Sequence, residues 1–404
     1  MSSKLPEIFC YMPWTSLALL PDGRISACCV SSSKGLELGD SKVGDTLLDV
    51  WKGEKLKVIR RQFLAGEWPA SCVACKVRHE EGYISHKDYF FATLKRYDLV
   101  ESVDLVGDDP PLLNLDLSFS NLCNLACRMC SSQYSTKWIS IDQHLAQEGH
   151  EYRSTVDQEL NGRESDLETV KSIEQSFGSL RFITVKGGEP LLAKNFIPFL
   201  QSLDKRGHSS NIDLTIVTNG TVAPNEELLS LLAKFKKVVL SISVDGVGRL
   251  FNYIRGGRGH DLTLVENSIQ KYQTLNNAYL DIYPVVQAYN VFDIENIFDW
   301  SRRVKCHASF RALIKFPHCL QVGVLPKPLR QLAQEKLRSF LKKIENEEQN
   351  FNEIEHLIRV LDVSIEPKYF DQFLRYTREL DKYHQIHLED IVPEFKGILT
   401  SNLT

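Results

Sequence analysis

Beyond residue 111, short apolar runs alternate with stretches in which apolar positions recur every three or four residues. The runs Leu112–Phe119, Phe182–Gly187, Leu214–Asn219, Val238–Val244, Leu280–Gln287 and Ala308–Lys315 read as strands. Helical spacing fills the intervals, at about 131–148, 165–178, 192–206, 225–235, 262–275 and 293–304. Val/Ile/Leu-rich strands alternating with helices imply parallel strands joined by right-handed crossovers, and so an α/β fold. Six such units make either an open doubly wound sheet or a partial barrel. Periodicity alone does not choose between them.

The first 80 residues follow another pattern. Leu17-Ala18-Leu19-Leu20, Pro21-Asp22-Gly23 and Arg24-Ile25-Ser26-Ala27-Cys28 read as a hairpin, because Asp-Gly is a strong turn signal. A helix is expected from about Thr46 to Ala65, carrying Leu47, Val50, Trp51, Leu56 and Ile59, and a second near Glu80–Tyr97. Val106-Gly107-Asp108-Asp109-Pro110-Pro111 cannot continue a helix and marks a boundary. The expected domains are a small α+β domain at 1–80, a linker helix and hinge at 81–111, a β/α domain at 112–320 and a helical region at 321–404. Leu329, Leu332, Leu337, Phe340 and Leu341 form an apolar stripe in that last region. No repeat of solenoid period is present.

Charge removes some function classes. The chain has 404 residues, with 48 basic and 52 acidic, for a net charge of −4. No global basic field points to nucleic acid or to an anionic membrane. No run reaches the roughly 18 apolar residues of a membrane helix. The N-terminus lacks the apolar core of a signal peptide, so a cytoplasmic location is expected.

The 10 cysteines change the picture most. They are too sparse for a disulfide scaffold, and in a reducing compartment clustered thiols hold metal or do chemistry. Cys123, Cys127 and Cys130 follow the first β/α strand directly, at the end where parallel folds build their sites. Zinc wants four ligands, and no fourth Cys or His follows nearby. Three thiolates on a four-iron cluster leave one iron open for a chelating molecule. Cys10, Cys28, Cys72 and Cys75 supply four thiols, which by spacing alone suit a structural zinc site. Cys29 competes with Cys28, but Gly23-x4-Cys28 favours Cys28, and Cys29 is expected to be packing. Cys306, His307, His318 and Cys319 are adjacent pairs with opposed side chains and are not expected to share an ion.

Cys123-x3-Cys127-x2-Cys130 after the first strand resembles the signature of the radical S-adenosylmethionine (radical SAM) enzymes. Lys186-Gly187-Gly188-Glu189-Pro190 after the second strand resembles that family's glycine motif, where two glycines permit close backbone approach. Thr218-Asn219-Gly220, Ser241-Ile242-Ser243-Val244-Asp245-Gly246 and Asn252-Tyr253-Ile254-Arg255 continue the likeness, the last with Asn252 where Asp is usual. The resemblance implies a partial (β/α)6 TIM-like barrel. It implies a [4Fe–4S] cluster on Cys123, Cys127 and Cys130 whose open iron binds S-adenosylmethionine. By the same resemblance Gly187, Gly188, Glu189, Asn219, Ser243, Asp245 and Arg255 contact that molecule, Ser243 and Asp245 near its ribose and Arg255 at its carboxylate. Met129 stands where the family usually has an aromatic on the adenine, and a methionine also covers a ring face.

The N-terminal text, including Pro13-Trp14, Pro21-Asp22-Gly23, Cys28 and Asp45-Thr46-Leu47-Leu48-Asp49-Val50-Trp51, resembles the twitch module, a half-length SPASM domain. The resemblance implies one auxiliary [4Fe–4S] cluster ligated by Cys10, Cys28, Cys72 and Cys75. Such modules usually follow the barrel, and this one precedes it. The implied reaction is reductive cleavage of S-adenosylmethionine to a 5′-deoxyadenosyl radical, then hydrogen-atom abstraction from a peptide or small-molecule substrate. A flavodoxin- or ferredoxin-type reductase is the implied partner. Two rivals are a zinc-stabilised α/β binding protein and a non-catalytic regulator that binds S-adenosylmethionine. The first leaves Gly187-Gly188-Glu189 and Ser243/Asp245 unexplained, and the intact cysteine triad speaks against the second. Lys186, at the tip of its strand, is expected as a charge partner more than as a base.

Overall fold

The computed structural model describes residues 5–31, 35–82, 84–107, 110–149, 162, 164–256 and 261–398. Asp108 and Asp109 of the expected boundary lie outside them, as does the tail beyond 398. Two compact units divide the chain: Met1–Leu122 with Gly162–Val217 and Glu226–Val238, and Cys123–Asn161 with Thr218–Asn225 and Val239–Thr404.

In the first unit six strands form a sheet: β1 Ser16–Leu19, β2 Arg24–Ser26, β3 Gly39–Asp40, β4 Asn114–Ser118, β5 Phe182–Lys186 and β6 Asp213–Thr218. Their order is β6-β5-β4-β1-β2-β3. β4, β5 and β6 are parallel neighbours in chain order, and β1 adds parallel to the free side of β4. The expected hairpin is present, with Ala18 opposite Ser26 and the turn closed by Gly23 at φ 84°. Register places Leu17, Leu115, Ile183 and Leu214 side by side on one face, followed by Leu19, Leu117, Val185 and Ile216. All of these are almost fully buried. Each contributes about 1.5–3 kcal/mol relative to exposure. The alternation leaves Asn114, Asp116, Ser118, Thr184 and Lys186 on the opposite, polar face.

The N-terminal helices are shorter than the spacing predicts. Helix Leu47–Lys52 opens on a capping box between Thr46 and Asp49. It stops at Gly53, which is extended (φ −72°, ψ 152°), and a new helix runs over Glu54–Leu64. A Cβ on Gly53 would lie 2.8 Å from the Asp49 carbonyl oxygen, so the break needs glycine. The helix expected near Glu80–Tyr97 is instead Val73–Glu80 and His86–Arg96. Gly82 at φ 73° follows the first, and the Ser85/Asp88 capping box starts the second.

The second unit carries β7 Lys237–Ile242, β8 Ala278–Ile282 and β10 His307–Ala308, in the order β7-β8-β10. A short parallel pair joins β9 Val285–Val286 to β11 Ala312–Leu313. Thus the expected strand Leu280–Gln287 divides at Pro284, which has no N–H for the ladder. The expected strand Ala308–Lys315 divides in the same way into β10 and β11. Helices Lys327–Leu341, Glu348–Val360 and Lys368–His384 follow. Leu329, Leu337 and Phe340 of the predicted stripe are buried, while Leu332 and Leu341 are half-buried. Within each unit the parallel strands neighbour one another in chain order without reversal. That is the order of a barrel segment and not of a doubly wound sheet. Among the described residues no helix is long and apolar enough to cross a membrane.

Candidate functional site

β4 delivers the chain into a loop whose backbone is braced by buried side chains. Within the second unit Cys123 and Cys127 are buried and Cys130 is half-buried. The Cys130 N–H donates to the Cys127 carbonyl at 2.8 Å, closing a turn between two of the thiols. The Trp138 indole N–H donates to that same carbonyl at 2.8 Å, and the Ser135 hydroxyl to the Leu125 carbonyl at 2.6 Å. Arg128 is fully buried. It donates to the Tyr253 carbonyl at 2.8 Å, lies 3.7 Å over the Tyr253 ring and pairs with Asp381 at 2.9 Å. The Tyr376 hydroxyl donates to the Arg128 carbonyl. Helix Lys368–His384 thereby clamps Arg128, one of the two residues between Cys127 and Cys130. Nothing in the local sequence points to that clamp, because Arg128 and Asp381 lie far apart along the chain.

Two predicted residues reach the thiols themselves. The Asn219 side-chain amide is 3.8 Å from the Cys123 sulfur and also donates to Asn124 at 2.9 Å. Arg255 is 3.7 Å from the Cys127 sulfur and pairs with Asp245 at 2.6 Å. Burial pushes the Cys127 thiol up, and the Arg255 charge opposes that shift. Burial also raises the fully buried Asp245, against the pull of Arg255. Its second oxygen accepts from the Val285 N–H at 2.7 Å. Asp245 therefore holds Arg255 in place and closes the break at Pro284. Ser243 is half-buried, and its N–H donates to the Thr218 carbonyl at 2.9 Å. Met129 is partly buried against the cluster that contains Cys123 and Cys127. Gly256 follows Arg255 at φ 73°, where a Cβ would lie 2.0 Å from the Ala126 carbonyl oxygen.

The glycine motif belongs to the first unit. Gly187 has φ 126°, and a Cβ on Gly188 would sit 2.1 Å from the Leu122 carbonyl oxygen. The Gly188 and Glu189 N–H groups donate to Ser120 and Leu122 carbonyls at 3.0 and 2.7 Å. The close approach that these glycines permit is thus to the backbone leading into Cys123. Glu189 is buried and accepts from the Leu191 N–H at 3.2 Å.

Cys10, Cys28, Cys72 and Cys75 line one apolar cavity of the first unit, with Met12, Phe63 and Trp68. Burial pushes the Cys10 thiol up to about 12 and the Cys72 thiol to about 11. Burial likewise raises Cys28 well above its ordinary value. Cys10 and Cys28 are buried and Cys72 and Cys75 half-buried, and a raised thiol becomes a thiolate only when a cation compensates it. The donor set therefore fits a metal centre. All four lie on one cavity, and cysteine thiolates are the donors that iron–sulfur clusters take. Cys29 is not the apolar packing residue expected. It is half-buried, 3.8 Å from His86. The residues at 306–319 do not share a site: His307 pairs with Asp281 at 2.8 Å, and His318 bonds Gln321 at 3.0 Å.

Comparison with known proteins matches two segments of the chain to family models. Residues 117–301 match the radical SAM superfamily model, and residues 10–76 match the model of the SPASM iron–sulfur cluster-binding domain. The radical SAM cyclopropyl synthase TigE of Paramaledivibacter caminithermalis is 28% identical over 207 residues, which is 46% of this chain and 41% of TigE. This chain thus spans less than half the length of that relative. Among solved structures, native anSMEcpe with bound AdoMet and Cp18Cys peptide matches at 20% identity and TM-score 0.40, covering 59% of this chain and 62% of that one. Streptococcus suis SuiB bound to precursor peptide SuiA matches at 14% identity and TM-score 0.34, covering 68% and 60%. The chain thus carries a radical SAM domain over residues 117–301 and a SPASM iron–sulfur domain over residues 10–76, which imply a [4Fe–4S] cluster with S-adenosylmethionine and an auxiliary iron–sulfur cluster as cofactors.

Proposed function

We propose that this chain is a radical enzyme that takes a hydrogen atom from a peptide substrate, with Cys123, Cys127 and Cys130 holding the cluster that binds S-adenosylmethionine. Reduced and loaded, that centre supplies a 5′-deoxyadenosyl radical, and the protein supplies position and exclusion of water. Arg255, held by Asp245, presents a fixed positive charge beside Cys127 for the carboxylate of S-adenosylmethionine. Asn219 and Ser243 offer polar groups at the ends of β6 and β7 for its amino acid and ribose portions. Gly187, Gly188 and Glu189 would hold its amino group, and Met129 would cover its adenine. Cys10, Cys28, Cys72 and Cys75 hold the auxiliary cluster, where full cysteine ligation suits electron acceptance better than substrate binding.

The observation that carries this reading is the braced cysteine loop, with two predicted side chains within 3.8 Å of its sulfurs. The peptide assignment rests on the Ser243-x-Asp245-Gly246 text alone. The one-electron donor is a flavodoxin- or ferredoxin-type reductase, and the site of action is the cytoplasm, where thiols stay reduced.

The test is anaerobic purification, metal analysis and incubation with dithionite and S-adenosylmethionine. About eight irons per chain are expected, with formation of 5′-deoxyadenosine. Zinc in place of iron, or no 5′-deoxyadenosine from iron-loaded protein, overturns the reading.

A further inference from the structure

The polar face of the first unit's sheet carries groups that no step above uses. Asp116 and Ser118 lie two residues apart on β4, and register sets Ser118 beside Lys186 at the tip of β5. Lys186 pairs with Asp116 at 2.7 Å. The other Asp116 carboxylate oxygen and the Ser118 hydroxyl are buried without a hydrogen-bond partner. Asp116 is 8% exposed and Ser118 is 1% exposed, so water does not satisfy them freely. Cys29 and His86 complete the group: the sulfur is 3.8 Å from the imidazole Nε2, and the thiol also interacts with Lys186 and with Asp116. Lys186 immediately precedes Gly187 and Cys29 immediately follows Cys28. The group therefore stands next in the chain to a residue of each cofactor-binding segment.

Its chemistry is specific. Lys186 keeps its charge, since Asp116 outweighs the burial that opposes it. Burial, then Lys186, lowers His86 and keeps its imidazole neutral. The sum is one ion pair and a neutral imidazole, beside a carboxylate oxygen and a hydroxyl that lack hydrogen-bond partners. An anion would meet the free Asp116 oxygen, and a cation would meet Lys186. A neutral group that donates on one side and accepts on the other satisfies both orphans.

We propose that Asp116, Ser118, Lys186, His86 and Cys29 form a substrate subsite for a carboxamide, whose N–H donates to Asp116 and whose carbonyl accepts from Ser118 or Lys186. The proposal deepens the peptide reading and rests on it: the carboxamide is a main-chain peptide unit or the side chain of Asn or Gln. Lys186 is then a binding residue and not a base.

Cys29 makes the subsite testable without a known substrate. The reconstituted holoenzyme is treated separately with iodoacetamide, 2-iodo-N-methylacetamide, iodoacetate and 2-iodoethanol. Each reagent forms a carbon–sulfur bond as its carbon–iodine bond breaks, releasing iodide and a proton. The rate at Cys29, read by peptide mass spectrometry, is divided by the rate with glutathione. One charge-assisted hydrogen bond gives the amides about a tenfold advantage over iodoacetate and iodoethanol. A faster secondary amide assigns the site to the peptide main chain, and a faster primary amide assigns it to Asn or Gln. Asp116→Asn leaves Lys186 uncompensated and shifts the preference to iodoacetate, whereas Lys186→Met suppresses iodoacetate further. The wild-type series stands even if a variant does not fold. An unlabelled Cys29, equal rates for all reagents, or a preference for iodoethanol or iodoacetate in the wild type overturns the subsite. Iron content and 5′-deoxyadenosine from the same preparation decide the radical-enzyme reading separately.

Discussion

Two glycines set the tightest tolerances at the residue scale. Gly188 and Gly256 each bring backbone within about 2 Å of where a Cβ would stand, against Leu122 and Ala126. These are backbone oxygens on either side of Cys123, so relief requires the cysteine loop itself to move. Gly188→Ala or Gly256→Ala is expected to reduce the iron retained after reconstitution from about eight to about four per chain. The overpacking cost is about 1–3 kcal/mol, and the denaturation midpoint falls with it. Full iron content in both variants would show that the loop yields freely. Gly188 was legible in its motif, but what it approaches was not, and Gly256 was not singled out at all. Asp116 was legible in principle, since Asn114, Asp116 and Ser118 alternate with Leu115 and Leu117. A continuous apolar reading of Leu112–Phe119 hid that alternation.

Strand and helix types were largely legible at the element scale, because 3.6- and 2-residue periods persist through them. Breaks were not, because each depends on one local group: Gly53 in the first helix, and Pro284 with Asp245 in the strand after residue 280. The role of helix Lys368–His384 was invisible, since it is set by contacts with residues far away in the chain. Asp381 pairs with Arg128 and accepts from the Tyr253 hydroxyl at 2.9 Å and the Leu388 N–H at 2.8 Å. Asp381→Ala strands a fully buried guanidinium, which costs about 3–5 kcal/mol. Arg128→Met combined with Asp381→Leu is expected to cost less than the two single changes together, as chemical denaturation would show. The same helix gives a pH dependence. Burial, then Arg128, lowers His384 to about 4. Between that value and the ordinary 6.5 the unfolded chain binds a proton that the folded chain refuses. Stability therefore falls as pH drops from about 6.5 toward 4, by about 1–2 kcal/mol once solvent screening is allowed for. His384→Gln should flatten the denaturation midpoint over that range. Equal pH slopes in wild type and variant would remove His384 as the cause.

The two cysteine sites differ in how the chain assembles them at the scale of the whole molecule. Cys123, Cys127 and Cys130 lie within one loop, so local backbone bracing places them and their spacing alone announced them. Cys10, Cys28, Cys72 and Cys75 come together through a hairpin, two helices and the core that contains Phe9, Trp14, Phe63 and Leu94. Their site exists only once that core has formed, and spacing alone left zinc open. Assembly from separate elements makes the two sites separable by mutation. Cys10→Ala with Cys72→Ala removes two of four ligands from an already apolar cavity and leaves the 123–130 loop intact. Iron is expected to fall from about eight to about four per chain. The remaining iron should still change its electron paramagnetic resonance spectrum on addition of S-adenosylmethionine. Retention of about eight irons would dismiss these four cysteines as cluster ligands. Loss of the spectral response alongside four retained irons would show that the wrong cluster had been removed, and would exchange the roles of the two sites.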